Sequence, residues 1–244
     1  MRLFLVLILS LSILVIYSDH LQANISFQDL NTKSDVVVLE LFTSQSCSSC
    51  PPADKILESL SYHKDIIALG CHVTYWDHLH WKDTVSRDFC TKRQHAYANS
   101  YQSNRVFTPE LRINGRTSMV GSSAHKIQTF LKQDTNMIIP IQIDKRFSGD
   151  YHMRALKLET DKKLAAYYIL YDKKKTETMT RGENRGRTVS YVNAVSHMVP
   201  VSLETLSNQF IPDIIPMKDQ EAIIVIQEDL GYGVGPIVAV GKLP

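Results

Sequence analysis

V-V-V-L-E-L-F-T-S-Q-S-C-S-S-C-P-P-A-D-K-I-L-E-S-L, Val36 to Leu60, is the stretch around which this chain is read. Its first part is a short apolar run rich in β-branched residues, and its last part carries apolar residues at helical spacing, so it predicts a strand, a small polar turn and a helix. Both cysteines of a C-x-x-C pair fall at the junction. A cysteine at a helix N-terminus sits among backbone N–H groups without intrahelical partners, at the positive end of the macrodipole, where thiolate is favoured over thiol. Cys47 is placed at the mouth of the helix and Cys50 in its first turn, near enough for a disulfide. Pro51 and Pro52 fit that turn, which loses little when proline removes its N–H groups.

The whole chain has 244 residues, 44% hydrophobic and 21% charged, with a formal charge of +2. That length suits one large domain or two small ones. Lysine and arginine are scattered apart from Lys173 to Lys175, a pattern that asks for neither nucleic acid nor an anionic membrane surface. Arg2 followed by a nearly continuous apolar stretch, Leu3 to Tyr17, then Leu21-Gln22-Ala23, reads as a signal peptide over residues 1–23; an uncleaved N-terminal anchor is the alternative. Both readings export the folded part to the periplasm or the exterior, with no membrane contact beyond that segment. Disulfides persist there. Residues 24–35 form a polar lead-in.

Within the first strand Glu40 is an anomaly among apolar neighbours. If buried, it is placed to exchange a proton with the inner thiol through water; the other reading is a solvent-facing or edge position. After the helix, Ile66 to Val73 predicts a second strand, parallel to the first. Cys71 lies inside it, either bridged to Cys90 or kept as an inert buried thiol. His72 to Asp83, H-V-T-Y-W-D-H-L-H-W-K-D, is dense in polar and aromatic residues. His78 and His80 stand two apart, which suits no recognised zinc spacing, so a packing or substrate-lining loop is the better reading. A helix over Ser86 to Ser100, capped by Ser86, follows. Asn114-Gly115 between two short runs predicts a hairpin of Glu110 to Ile113 and Arg116 to Val120, and Ser122 or Ser123 opens a closing helix. Thr108-Pro109 precedes the hairpin and is a candidate cis bond.

That order of elements is the layout of the thioredoxin fold. The segments E-L-F-T-S-Q-S-C-S-S-C-P-P-A-D, H-V-T-Y-W-D-H-L-H-W-K-D, R-V-F-T-P-E-L-R-I-N-G and R-G-E-N-R-G-R-T together resemble the secreted, thioredoxin-like family of unknown function catalogued as domain 1223. The resemblance implies an α/β thioredoxin-like fold over residues 36–137 and an exported location, but no established activity. From the wider superfamily it implies Cys47 as attacking thiol, Cys50 as resolving thiol, Pro109 as the flanking cis-proline and Glu40 as the buried carboxylate. The turn between Glu40 and Cys47 is one residue longer than in thioredoxins.

Residues 138–244 shift toward β composition and predict a smaller antiparallel β-rich unit. Ile139 to Ile143, His152 to Leu158, Leu164 to Tyr171, Thr188 to Val199, Ala222 to Gln227 and Ile237 to Val240 are strand-like. The Lys173 to Lys175 run reads as a separator. The loop around R-G-E-N-R-G-R is a solvated turn or a lip of the active-site groove.

The expected function is thiol–disulfide exchange at Cys47 and Cys50, on a protein or a small thiol or disulfide, with an unidentified redox partner and no cofactor or metal. Ser48-Ser49 carries no imidazole, so a potential between the strong oxidants and the strong reductants is expected. Tyr75, Trp76 and Thr108 are candidates for lining a substrate strand. Two other classes compete: a soft-metal protein gripping copper through Cys47, Cys50 and His72, and a non-catalytic binding module on the same fold.

Overall fold

The computed structural model describes residues 36–103, 105–134, 136, 138–154 and 160–244, so residues 1–23, expected to be a signal peptide, lie outside the described residues. The chain is mixed α/β, dominated by a nine-stranded mixed sheet in the order β4-β3-β1-β2-β9-β8-β10-β11-β5. Its first half comprises β1 (Val37–Thr43), α1 (Pro51–Ser61), β2 (Ile66–His72), α2 (Asp88–Ser100), β3 (Glu110–Ile113), β4 (Thr117–Val120) and α3 (Ala124–Gln133). β1 pairs parallel with β2, from Val37 beside Ile66 to Thr43 beside His72, and antiparallel with β3.

Alternation along β1 sorts its side chains between two layers. Val37, Leu39 and Leu41 pack with Ala53 and Leu57 of α1 and Ile127 and Leu131 of α3. Val38 and Phe42 point the other way, into a core that holds Cys90 and Tyr97 of α2 and continues into Val225 and Val240 of the second half. Strands buried on both faces account for the near-continuous apolar sequence of β1 and β2. Helix α2 starts after Arg87, because the Ser86 hydroxyl is committed to Asp77 and to the Asp83 carbonyl rather than to a cap. Ser123 does occupy the N-cap position of α3, but its side chain makes no capping hydrogen bond.

The second half contributes β5 (Ile139–Pro140), β6 (Ile143–Lys145), β7 (Tyr151–Met153), β8 (Leu164–Thr178), β9 (Thr188–Val201), α4 (Leu203–Asn208), β10 (Gln220–Asp229) and β11 (Val234–Lys242). β6 and β7 form a separate two-stranded sheet. The strand expected over His152 to Leu158 is described only as far as Met153, and residues 155–159 lie outside the described residues. Lys173 to Lys175 does not interrupt a strand: it lies inside β8, which runs for 15 residues against β9. Here Lys173, Lys174 and Lys175 are all exposed, while Val192 and Tyr191, opposite Lys174 and Lys175 on β9, are buried.

The two halves meet where β9 runs parallel to β2 at Gly70 beside Ala194. Asn193, in the left-handed region at φ 48°, reinforces the seam by donating from Nδ2 to the Ala68 carbonyl at 2.8 Å. A Cβ at Gly70 would stand 3.3 Å from the Val192 carbonyl, so the close approach calls for glycine. The Asn114-Gly115 turn makes a second seam, since the Ile237 amide donates to the Asn114 carbonyl at 3.0 Å.

Candidate functional site

Cys47 and Cys50 form a disulfide at the start of α1, with Cα atoms 5.5 Å apart. Cys50 occupies the N-cap position without a side-chain cap, and Pro51 and Pro52 fill the first turn. The two sulfurs are not equivalent. Cys50 is fully buried, Cys47 retains 6% of its surface, and Ser48 and Ser49 between them are exposed. The Ser49 hydroxyl stands 3.3 Å from Cys47 Sγ, a hydrogen-bonding neighbour for that sulfur. On the opposite face of the sheet a second disulfide joins Cys71 of β2 to Cys90 of α2, both buried, which settles the pairing left open above.

Glu40 is buried, on the same face of β1 as Val38 and Phe42 and away from the α1 layer. There it is held by the Arg93 guanidinium and accepts from Tyr97 OH at 2.6 Å; Arg93 also donates to Gln227 Oε1 at 2.8 Å. Both carboxylate oxygens are therefore engaged beneath α2, and the structure does not bring Glu40 together with the cysteines.

A different carboxyl lies on the α1 side. Asp54 is four residues after Cys50, one helical turn along the same face, and is buried. Its Oδ1 accepts from Thr43 Oγ1 at 2.9 Å. Thr43 and His72 are partners at the carboxyl ends of β1 and β2, so the strand register brings the imidazole to the same place. His72 Nδ1 donates to Asp83 Oδ2 at 2.7 Å, while its buried Nε2 has no partner. Burial pushes the Asp54 carboxyl up to about 7, against the pull of His72 and of the Thr43 hydrogen bond. Burial also disfavours imidazolium at His72, but the Asp83 carboxylate outweighs it and raises that group. Asp83 moves down, because His72 and the Gln45 and Val85 amides overcome its desolvation. A carboxyl that holds its proton up to about 7 thus sits one helical turn from the inner cysteine.

Thr108-Pro109 is cis. Pro109 and Ala53 of α1 both lie within 3.4 Å of the point where a Cβ on Gly121 would stand, which puts the proline beside the start of the cysteine helix. Trp76 Nε1 donates to Thr108 Oγ1 at 2.8 Å, and the Tyr75 and Trp76 rings meet at 5.5 Å. Tyr75, Trp76 and Thr108 are half-buried there, and Pro109 is buried. His78 and His80 are exposed, and among the described residues no group of three or more His, Cys, Asp or Glu side chains is arranged to hold a metal.

Three loops are stitched around Cys47. The Gln45 amide donates to Asp83 at 2.8 Å, Trp81 Nε1 donates to Gln45 Oε1 at 2.8 Å, and Ser46 Oγ donates to the Trp81 carbonyl. From the loop between β8 and β9, buried Asn184 donates from Nδ2 to the carbonyls of Gln45 and Cys47, each at 2.9 Å. The R-G-E-N-R-G-R segment is thus fastened to the cysteine turn.

Residues 38–227 match the family described as proteins of unknown function, DUF1223. The chain belongs to the DUF1223 family. This DUF1223 chain is also similar to a crystal structure of protein AGR_C_4864 from Agrobacterium tumefaciens, with 25% sequence identity, a TM-score of 0.64, and coverage of 86% of this chain and 94% of that one. No curated protein matches it. No helix among the described residues is long and apolar enough to cross a membrane.

Sequence reasoning about this DUF1223 chain missed Asp54 and Asn184. The signal for Asp54 was present: the longer turn after Glu40 shifts the strand register, and one residue on a strand moves a side chain to the other face. Thr43, not Glu40, therefore looks toward α1. Asn184 had no such signal, because nothing local says which turn a distant loop will cover.

Proposed function

We propose that this chain is an exported thiol–disulfide oxidoreductase built on a thioredoxin-like unit. The observation that carries this reading is the Cys47–Cys50 bridge at the start of α1, with one sulfur sealed and the other at the rim. The strand order β4-β3-β1-β2, with α1 joining two parallel strands, supports the fold assignment. Two disulfides fit an oxidising compartment.

In the reducing direction, a substrate thiolate attacks Cys47 Sγ, the Cys47–Cys50 bond breaks, and Cys50 leaves as thiolate. Asp54, protonated near neutrality, stands one helical turn away to protonate it. In reverse, Asp54 carboxylate takes the Cys50 proton, and the new thiolate attacks the mixed disulfide at Cys47 and frees the substrate thiol. The positive end of the α1 macrodipole favours Cys47 as thiolate, with the Ser49 hydroxyl beside it. Pro109, Thr108, Tyr75 and Trp76 offer a wall along which an extended chain can align.

The test is a Cys50→Ser variant incubated with extract of the exported compartment. Mixed disulfides through Cys47 should accumulate, separable by non-reducing electrophoresis and absent from Cys47→Ser/Cys50→Ser. A reduced protein that exchanges with no disulfide and traps no adduct would refute the proposal.

A further inference from the structure

Beside the cysteine turn lies a groove of about 550 Å³ lined by His80, Thr180, Arg181, Gly182, Glu183 and Arg185. One wall is the loop between β8 and β9 and the other is His80, from the loop that follows β2. Each wall is fastened to a residue at or next to the outer cysteine. Asn184, between Glu183 and Arg185, donates to the Cys47 carbonyl at 2.9 Å. Trp81, next to His80, accepts through its carbonyl from Ser46. Gly182 comes close under the same tryptophan: a Cβ there would stand 3.1 Å from Trp81 Cβ, and its φ of 75° favours glycine in any case. The groove is thus held in fixed relation to the reacting sulfur.

Its charge is one-sided. Arg181 and Arg185 are exposed, Arg187 follows them, and Glu183 is the only acid in the segment 179–188. Among the described residues none of the three guanidinium groups has a carboxylate partner, not even Glu183; Glu177 accepts from Thr84, and Asp83 pairs with His72. Unpaired arginines offer planar, two-pronged donors suited to carboxylates. A rim of net positive charge also raises the encounter rate of anionic substrates, increasingly so at low salt.

We infer that the groove selects a small disulfide or thiol bearing carboxylates, holding its anionic groups at Arg181 and Arg185 while its sulfur meets Cys47. This rests on the exchange chemistry proposed above and adds the substrate class. In the balanced reaction, Cys47 thiolate attacks one sulfur of the disulfide, forming a mixed disulfide and releasing one thiolate. Cys50, after losing its proton, attacks Cys47 Sγ and releases the second thiolate. The protein ends oxidised and the substrate reduced.

The experiment presents fully reduced, full-length protein with three probes: glutathione disulfide, neutral hydroxyethyl disulfide and cationic cystamine. Formation of the Cys47–Cys50 bridge is followed by mass spectrometry after quenching. At low salt the anionic probe should react about tenfold faster than the cationic one, relative to their rates with a free small thiol. That ratio should fall toward one at about 0.5 M salt and in Arg181→Ala/Arg185→Ala. Because the comparison is a ratio within one protein, a general loss of activity in the variant cancels. Equal relative rates, a cationic preference, or a ratio unmoved by the arginine substitutions would overturn the inference while leaving the exchange chemistry standing. Failure of all three probes to oxidise the wild type would remove both.

Discussion

At the scale of single residues, two buried carboxyls follow from opposite parity on neighbouring elements. Glu40 faces a guanidinium and is a structural anion; separating it from Arg93 would leave an uncompensated buried charge, a change that typically costs about 3–5 kcal/mol. Asp54 faces Thr43 and the His72 imidazole, with Asp83 and Tyr191 beyond. Its folded value of about 7 lies above its ordinary 3.8, so over that interval the native state holds a proton that the unfolded chain has released. Native protons in excess mean stability that falls as pH rises, by roughly 4 kcal/mol across the window. Asp54→Asn removes that penalty. Urea denaturation of the oxidised protein should show the variant gaining on the wild type between pH 4 and 7, with the difference flat above about pH 8. A difference independent of pH would mean that Asp54 is ionised throughout.

At the scale of elements, short signals translated directly into structure. β1 and α1 follow one another as expected for Val36 to Leu60, and β2 and the Asn114-Gly115 hairpin stand within a residue of their expected bounds, because periodicity, proline placement and a turn dipeptide are all local causes. The long β8–β9 ribbon did not read so plainly. A lysine run looks like a break only if each strand is assumed to carry its own buried face, and here the buried side chains, Tyr191 and Val192, come from the partner strand. Its tip nevertheless holds two main-chain carbonyls of the cysteine turn. Asn184→Ala leaves the Gln45 carbonyl without a donor and the Cys47 carbonyl with the Cys50 amide alone, at a cost of about 1–3 kcal/mol. Much of that cost appears as easier local opening. In the reduced protein, alkylation of Cys47 by iodoacetamide should accelerate about tenfold, a factor equivalent to about 1.4 kcal/mol. An unchanged rate would show that the loop does not restrain the turn.

At the scale of the whole molecule, composition distinguished an α/β beginning from a β-rich end, yet gave no sign that one sheet runs through both. The seam is made by Gly70 against Ala194, Asn193 against Ala68 and the hairpin turn against Ile237, contacts between residues more than a hundred positions apart. The Cys71–Cys90 bridge sits in the core shared by the halves, 19 residues apart in sequence. Closing a loop of that size removes unfolded-state entropy worth about 3 kcal/mol. Cys71→Ala/Cys90→Ala should lose stability of that order in denaturant titration and keep its Cys47–Cys50 chemistry. In the native wild type, mild reductant should free two thiols rather than four, as counted by mass after alkylation.

The reach of Asn184 also bears on how the protein can be taken apart. The cysteine-bearing half is not a transplantable module: cut after residue 137, it would forfeit the side chain that fastens its reactive turn and the strand that flanks β2. A miniature version would have to carry the distant hairpin along, and a chimera that swaps the second half would exchange part of the support of the cysteine turn with it.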